Sequence, residues 1–263
     1  GTHHFPPHRR ADAVLAPAAA AQLTGPAGNA MPGYAVKREQ VAVAGGTALE
    51  IRSLLDRQQY ADPRGEAAAA GISPACWPLF GLVWPSARKL ADLMQGIDLG
   101  ARRILEVGCG LALASLVVHR RHGDITASDC HPLAEAFLVA NLRLNALPEL
   151  KYSIGNWERA NPALGEFDLI VGSDVLYERN HPQQLAGFIQ RHAAASAEVL
   201  IVDPNRSNRS AFNEAMARCG FALTETGIAT PLDDGTPYRG RLLRYLRGAG
   251  RLQGPTPSPR SSA

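Results

Sequence analysis

The stretch ILEVGCG, residues 104–110, decides the fold of this chain. Its apolar residues surround a single carboxylate, Glu106, and the run then breaks at Gly108 and Gly110. A short apolar run that ends in glycines predicts a buried parallel strand and a turn, and the apolar-rich segment from residue 111 predicts the following helix. In open α/β sheets, ligands bind just beyond the carboxyl ends of such strands. We therefore expect the binding cleft at residues 108–110.

The glycine turn limits the class of ligand. Glycine lets the backbone adopt positive φ and lets a ligand approach closely. A dinucleotide site would need a small residue where this chain has Leu113, and a P-loop would need a Gly-Lys-Ser/Thr sequence that does not follow, so an NAD-dependent oxidoreductase is disfavoured. The carboxylate of Glu106 suits a cationic ligand such as S-adenosylmethionine, which carries an ammonium and a sulfonium. The alternative is a glycine turn that merely packs.

The composition is that of a globular α/β protein. The 263 residues are 46% hydrophobic, and the net charge of +3 arises from 27 basic and 24 acidic residues, which is too balanced to indicate a nucleic-acid partner. The four cysteines form no C-x-x-C pair, which disfavours a metal site, and scattered single thiols suit the cytoplasm. Since no apolar run reaches the length of a membrane span, we expect a cytoplasmic monomer without a membrane partner.

Three regions follow from the local composition. Residues 1–33 and 248–263 are rich in small residues, proline and glycine, and are predicted to be a disordered leader and tail around a domain at 34–247. Alternating apolar residues in 37–55, with a glycine pair in the middle, predict an N-terminal β-hairpin that covers one edge of the main fold. Trp84 precedes a helix opened by Pro85, and it is either a core anchor or a contact for a bound adenine or methionine.

The rest of the domain alternates between strands and helices, which indicates a parallel sheet with helices on both faces. The last two strands have no helix between them, so they are predicted to pair antiparallel. The fold class is therefore α/β, with a doubly wound, mostly parallel sheet of seven strands and an antiparallel last strand. The predicted strands are 104–107, 124–128, 152–155, 168–172, 198–202, 221–227 and 241–246, and the helices after Pro85 are 111–122, 132–145, 182–195 and 209–219.

Polar residues follow the second and third of these strands where each one ends. Asp129 is placed where a nucleotide site holds a carboxylate that accepts both ribose hydroxyls. Asn156 could pair with the edge of an adenine, and the indole of Trp157 could stack on its face. These residue types also cap helices and build turns, so each is a weak signal alone. Their placement at successive strand ends predicts one nucleotide-type site.

The fourth strand adds a second group of polar residues. It ends on Ser173 and Asp174, with Tyr177 three positions later, and the doubly wound order places it beside the first strand. We expect Asp174 to face the same cleft. The competing interpretation is that Asp174 only caps the segment that follows it.

With these residues in view, the chain resembles the seven-β-strand protein-lysine methyltransferases, which are class I S-adenosylmethionine enzymes of the methyltransferase-16 group. The resemblance covers about residues 75–246. Ala112 departs from it, because many members have a glycine there, and so does Asn156, where aspartate is often found. A further run, DPNR at 203–206, resembles the branch that modifies the electron-transfer flavoprotein β-subunit. The motifs that carry the resemblance are WPSA at 84–87, E-x-G-x-G at 106–110, Asp129, NW at 156–157 and SDVLY at 173–177.

The resemblance implies a cofactor, a substrate and roles for particular residues. The cofactor is S-adenosylmethionine and the substrate is a lysine side chain of a protein. Asp174 and Tyr177 are the catalytic candidates, with Asp174 orienting the lysine ammonium and Tyr177 lining its channel, whereas Glu178 is expected to face solvent. Together with the residues derived above, the predicted cofactor-binding set is Trp84, Glu106, Gly108, Cys109, Gly110, Asp129, Asn156, Trp157 and Ser173.

Other functions remain open on the sequence. A small-molecule N- or O-methyltransferase would share the fold and the cofactor, because neither fixes the acceptor. A nucleic-acid amino-methyltransferase is disfavoured, since such enzymes carry an Asn/Asp-Pro-Pro-Tyr/Phe run where this chain has SDVLY at 173–177. A non-catalytic protein that binds the cofactor or a partner is the remaining alternative.

Overall fold

A computed structural model describes residues 34–59 and 61–248 of the chain. The predicted disordered leader, and all of the predicted tail except Gly248, lie outside the described residues. The strands are β1 (Val36–Val41), β2 (Leu49–Leu54), β3 (Arg103–Glu106), β4 (Asp124–Asp129), β5 (Lys151–Ile154), β6 (Phe167–Ser173), β7 (Ala193–Asp203), β8 (Ala222–Ile228) and β9 (Gly240–Arg247). The helices are α1 (Glu66–Ala69), α2 (Pro85–Gly96), α3 (Leu113–Arg120), α4 (Ala134–Leu144), α5 (His181–His192) and α6 (Arg209–Arg218).

The main sheet has seven strands in the order β5-β4-β3-β6-β7-β9-β8. Strand β3 pairs parallel with β4 and with β6, whereas β9 pairs antiparallel with β7 and with β8. The predicted doubly wound sheet with an antiparallel last strand is therefore confirmed. Because the chain first builds outward from β3 to β5 and then returns to β6, the strand order reverses between β3 and β6. A ligand cleft is expected at that switch point, at the carboxyl ends of the two strands.

Helices cover both faces of the sheet over two apolar layers. Successive strand side chains point to opposite faces, so Ile104 of β3 belongs to the layer under α2, α3 and α4, and Leu105 belongs to the layer under α5 and α6. Both side chains are buried, with at most 1% exposed. This double coverage explains why neighbouring residues of β3, Ile104 and Leu105, are both apolar instead of alternating with polar residues.

The end of α5 differs from the sequence prediction. The helix was expected to run to residue 195, but it ends at His192 and residues 193–195 begin β7. Ala193 pairs with Phe167 of β6, and the guanidinium of Arg247 donates hydrogen bonds to the carbonyl oxygens of Ala193 and Ala194. Sheet pairing and these bonds override the helix propensity of the alanines, as tertiary contacts commonly do.

The predicted N-terminal hairpin is confirmed. Strands β1 and β2 pair antiparallel in a sheet of their own, and β2 packs on helix α4 rather than on an edge of the main sheet. The backbone N–H and carbonyl of Arg52 bond to the side chain of Asn141 at 2.7 and 3.1 Å. One helical turn later, Asn145 bonds the backbone of Glu50 at 2.9 and 2.8 Å. Two amides four residues apart thus pair with the backbone of β2 as a neighbouring strand would.

Candidate functional site

A cleft of about 540 Å³ opens at the carboxyl ends of β3, β4 and β6. This volume is within the range of small-molecule and cofactor sites. Every residue of the predicted site lies on the cleft wall except Glu106. The lining residues among the candidates are Trp84, Gly108, Cys109, Gly110, Asp129, Asn156, Trp157, Ser173, Asp174 and Tyr177.

The glycine loop forms the floor of the cleft. Gly108 has a φ of +54°, and a Cβ there would lie only 2.9 Å from Cγ1 of Val175 and 3.6 Å from the Trp157 ring. Gly110 has the same φ, and a Cβ there would lie 3.1 Å from the carbonyl oxygen of Phe80. Only glycine satisfies both the left-handed backbone and the close packing at these positions. The floor of the cleft is therefore bare backbone, which a ligand can approach closely.

Asp129 holds the glycine loop from the neighbouring strand. One carboxylate oxygen accepts the N–H of Gly110 at 2.8 Å, and the other accepts the N–H of His131 at 2.8 Å. Burial raises the pKa of Asp129, while these backbone N–H groups act against that rise. An ionised carboxylate accepts about four hydrogen bonds, so lone pairs remain for a ligand's hydroxyl groups.

Glu106 is buried and is not among the residues that line the cleft, and its predicted contact with the cofactor stays a prediction. One carboxylate oxygen accepts the backbone N–H of Ser115 at 3.0 Å and its hydroxyl at 2.7 Å. Helix α3 starts after Ala112, whose side chain cannot cap it, and the first N–H groups of a helix need an acceptor. Glu106 supplies that acceptor, so it acts on the cleft by fixing the start of α3.

Ala112 itself adopts a left-handed backbone, with φ +59° and ψ +40°. A non-glycine residue costs about 1–2 kcal/mol in this conformation. A glycine at this position would avoid that cost. The buried methyl group of Ala112, which is 0% exposed, offsets part of the strain.

One wall of the cleft is the segment between the hairpin and α2, which includes 3₁₀ turns at Pro74–Cys76 and Leu79–Gly81. The indole N–H of Trp84 donates to the carbonyl of Leu79 at 2.8 Å, and the guanidinium of Arg57 lies 5.0 Å from the indole ring. This wall also contacts Glu178, whose carboxylate accepts from the thiol of Cys76 at 3.1 Å. The Glu178 side chain is 39% exposed, as expected of a solvent-facing residue, but it also lines the cleft.

The segment after β5 carries the predicted adenine contacts. The side-chain oxygen of Asn156 accepts the N–H of Glu158 at 2.9 Å, which forms a local turn. The ring of Trp157 lies beside Gly108 and meets the ring of His181 edge-on at 5.3 Å. The structure thus places the indole across the glycine loop, where it can cover a planar ligand.

The segment after β6 holds the predicted acceptor residues. Asp174 has a φ of +48°, and its carboxylate makes two hydrogen bonds of 3.0 Å with the guanidinium of Arg206. Tyr177 is 41% exposed, and its ring meets the ring of His181 edge-on at 4.7 Å. Burial raises the pKa of Tyr177, so its hydroxyl stays protonated near neutral pH. The two residues lie at the same end of the cleft.

Arg206 and His181 line this end of the cleft without having been predicted there. The sequence contained one signal for Arg206, the DPNR run after the fifth strand of the main alternation, but it assigned no contact. His181 is the first residue of α5, and burial lowers its pKa. Its Nδ1 accepts the N–H of Glu178 at 3.2 Å, so its tautomer carries the proton on Nε2.

Within residues 34–59 and 61–248, no group of three or more His, Cys, Asp or Glu side chains is arranged to hold a metal ion. In the same part of the chain, no helix has the length and apolarity needed to cross a membrane.

The site fits S-adenosylmethionine in three respects. The floor is bare glycine backbone, Asp129 presents carboxylate lone pairs at the end of β4, and Trp157 offers an aromatic face beside Gly108. Fold and cleft together are those of a class I methyltransferase. A putative RNA methyltransferase from Pyrococcus horikoshii aligns with 73% of this chain and 99% of its own, with a TM-score of 0.51 and 16% identity, which supports the fold alone.

The sequence model of the lysine methyltransferase family matches residues 80–218, more than half of the chain. The chain therefore belongs to the lysine methyltransferase family, and the resemblance stated above is confirmed. The match includes the glycine loop and the whole segment from β6 to α6.

Curated relatives include two protein-lysine enzymes. The electron-transfer flavoprotein β-subunit lysine methyltransferase of Rattus norvegicus is 29% identical over 194 residues, which is 67% of this chain and 69% of the relative. A protein N-lysine methyltransferase of Xenopus tropicalis is 27% identical over 128 residues, or 46% of this chain. The chain spans only 58% of the length of the Xenopus relative.

Proposed function

We propose that this chain transfers a methyl group from S-adenosylmethionine to a lysine side-chain amine of a protein. The observation that carries the proposal is that Asp174 and Tyr177 line the same cleft as the glycine loop. Membership in the lysine methyltransferase family supports the same acceptor class.

Cofactor binding is assigned to the glycine floor of the cleft and to the residues around it. Asp129 would accept the ribose hydroxyls through its remaining lone pairs, and Trp157 would cover the adenine. Gly108, Cys109 and Gly110 would lie against the amino-acid portion through their backbone. Trp84, Asn156 and Ser173 complete the walls, and Glu106 contributes by holding the start of α3.

When bound, S-adenosylmethionine supplies a sulfonium-activated methyl group, which the lysine nitrogen takes while the electron pair of the C–S bond returns to sulfur. The nitrogen must first release a proton to solvent, because a lysine pKa of about 10.4 leaves the amine protonated near neutral pH. Asp174 would accept a hydrogen bond from the nitrogen and fix its direction of approach. The ring of Tyr177 would line the channel and favour the cationic product through its π face.

Two finer statements belong to the same proposal. The relative in Rattus norvegicus makes the β-subunit of electron-transfer flavoprotein the first acceptor to test. The cytoplasmic location and the monomeric state remain predictions that rest on the cysteine pattern and the composition.

The test is a transfer assay with methyl-labelled cofactor. The chain is incubated with recombinant electron-transfer flavoprotein β-subunit and, separately, with a desalted cell extract, and labelled lysines are located by mass spectrometry. We expect label in protein lysine. A parallel incubation uses an extract that was not desalted and therefore still contains small molecules. Label confined to small molecules in that extract would contradict the proposal and favour a small-molecule methyltransferase. No label with either acceptor, despite tight cofactor binding, would favour a non-catalytic protein.

A further inference from the structure

The acceptor end of the cleft contains a permanent cation. Arg206 lines the cleft and binds Asp174 through a paired fork, with its Nε bonded to Oδ1 and its Nη2 bonded to Oδ2, both at 3.0 Å. An arginine cannot lose its charge in a protein, and a bidentate pair with a carboxylate is strong and directional. The carboxylate assigned to the lysine is therefore already neutralised.

The chain holds this arginine in place from behind. The buried carboxylate of Asp203, at the end of β7, accepts the backbone N–H of Arg206 at 2.8 Å. Between them, Asn205 adopts a φ of +63°, which turns the chain back toward β6. Asn208 then bonds the carbonyl oxygens of Leu176 and Glu178 at 2.9 and 3.1 Å. The segments after β6 and β7 are thus tied together.

A neutralised carboxylate and a bare one would act differently on an incoming lysine. A bare carboxylate at contact distance stabilises the ammonium form and raises its pKa by about 1–3 units, which hinders attack by the nitrogen. An Asp–Arg pair has no net charge, yet its carboxylate keeps lone pairs that can accept an N–H. Such a pair can orient the amine without holding its proton.

We propose that Arg206 is a positioning residue that neutralises Asp174, so that the acceptor lysine is held as the free amine and not as the ammonium. This inference rests on the proposed function and deepens it. In this role Arg206 does not contact the reacting atoms. Arg206 acts only through Asp174.

Other ionisable groups surround this pair and could contribute to a pH profile. None of them bonds the carboxylate of Asp174 as Arg206 does. They lie in five neighbouring parts of the fold: Tyr177 and Glu178 after β6, His181 in α5, Asp203 at the end of β7, Arg209 in α6, and Tyr238 before β9.

The first test is the pH dependence of methyl transfer to the electron-transfer flavoprotein β-subunit. In Arg206→Gln, the pH at which kcat is half-maximal should rise by about 1 unit or more, because the lysine now faces a bare carboxylate. Near pH 7, kcat should fall by about 10-fold while KM stays equal or falls, and the loss should shrink toward higher pH. Arg206→Lys keeps the charge and should keep the profile of the parent.

A matched control comes from the opposite end of the sheet. The guanidinium of Arg244 bonds the carboxylate of Glu198 at 2.8 and 3.0 Å. The side chains of Arg244 and Glu198 are 47% and 15% exposed, and those of Arg206 and Asp174 are 44% and 14% exposed. Arg244→Gln should leave kcat and its pH profile unchanged. If Arg206→Gln lowers kcat equally at every pH, the inference is overturned and Arg206 has a purely structural role. If Arg206→Gln raises kcat/KM at every pH, the inference is also overturned, because Arg206 then obstructs the entry of the lysine.

A second measurement separates this inference from the proposed function. The protein loaded with S-adenosylhomocysteine is titrated calorimetrically with n-butylammonium chloride near pH 7. Arg206→Gln should bind the cation about 10-fold more tightly than the parent, and Arg206→Gln combined with Asp174→Asn should lose that gain. Equal binding in all three proteins would overturn the inference. If the parent methylates no protein at any pH, the proposed function fails, while this titration still decides the role of Arg206.

Discussion

The carboxylate of Asp129 accepts the backbone N–H of Gly110 at 2.8 Å, so the last residue of β4 fixes the glycine loop that follows β3. The same side chain would hold the ribose. Loop geometry and cofactor affinity are therefore coupled through one carboxylate.

Replacing Asp129 should weaken cofactor binding. Asp129→Ala removes the acceptor for Gly110, for His131 and for the ribose hydroxyls, and charge-assisted hydrogen bonds are worth about 1.5–3 kcal/mol. We expect S-adenosylmethionine to bind about 10- to 100-fold more weakly by isothermal titration. The control is Asp124→Ala at the exposed start of the same strand, where Asp124 pairs with Lys151. Unchanged affinity in Asp129→Ala would refute the ribose assignment.

Asp174→Asn should separate catalysis from cofactor binding. The change keeps the size of the side chain and removes its charge, which weakens the pair with Arg206 and leaves that cation uncompensated beside the lysine nitrogen. An interaction that positions a reactant can be worth about 100-fold or more in rate. We expect that loss in methyl transfer with nearly unchanged affinity for S-adenosylmethionine, measured on the same sample. Asp233→Asn, which alters an exposed partner of Arg88, serves as the control. Transfer to protein at the parent rate would show that Asp174 does not hold the acceptor.

Glu106 should make stability depend on pH. Burial raises the pKa of Glu106 from 4.5 to about 7, so the unfolded chain releases this proton at lower pH than the folded protein does. The free energy of unfolding therefore falls by up to about 3 kcal/mol as the pH rises from about 4.5 to about 7. Glu106→Gln cannot titrate, and its amide oxygen can still accept from Ser115. The stability of the variant relative to the parent should thus increase across this window.

Urea unfolding near pH 5 and near pH 8 measures the effect. Glu135→Gln, an exposed glutamate in the first turn of α4, is the control and should show little change between the two conditions. A constant difference between Glu106→Gln and the parent at both pH values would contradict the buried, titrating carboxylate.

Two glycines distinguish backbone strain from packing. Gly108 and Gly100 have nearly the same φ, +54° and +55°, but a Cβ at Gly100 meets nothing within 4 Å, whereas one at Gly108 lies 2.9 Å from Val175. Gly100→Ala should cost about 1 kcal/mol in the free energy of unfolding, from the left-handed backbone alone. Gly108→Ala should cost about 2–4 kcal/mol, because it also overpacks the loop. Equal costs in denaturant unfolding would argue against close packing of the loop on Val175.

The asparagines of α4 should be essential for docking of the hairpin. Asn141 is 0% exposed, and Asn141→Ala removes the side chain that bonds the half-buried N–H and carbonyl of Arg52. Each unsatisfied buried group costs about 1–3 kcal/mol, so we expect a total loss of about 2–4 kcal/mol. Asn145→Ala, at a half-buried position, should cost less. If the two variants unfold at the same denaturant concentration, the amide pairing is not what holds β2.

The sequence could predict the sheet because the signals for it are local. The apolar run before Gly108 and the βα alternation follow from periodicity and turn chemistry. Docking of the hairpin could not be predicted, because it depends on two amides that face β2 only after α4 has formed. The polar pattern of α4 looks like an ordinary solvated helix face until that partner is present.

The candidate site shows the same division. Polar residues at strand ends were predictable, since parallel strands bring their carboxyl ends together. The direction in which a side chain points at a strand end was not predictable. Glu106 turns back to the start of α3, and Asp174 meets Arg206 across the segments after β6 and β7. These contacts depend on left-handed residues at 112, 174 and 205, which residue type alone does not reveal.

The position of β9 in the sheet determines which strand edge is unpaired while the chain is being synthesised. Residues 240–247 are synthesised after β7 and β8, yet they lie between those two strands. Until they leave the ribosome, the backbone of β7 has no pairing partner on that side over residues 197–203, although this strand carries the apolar residues Val199 and Ile201. Open apolar edges are templates for aggregation. A premature stop before Gly240 would therefore yield a chain that associates with its own copies, and it would remove β8 from the sheet as well.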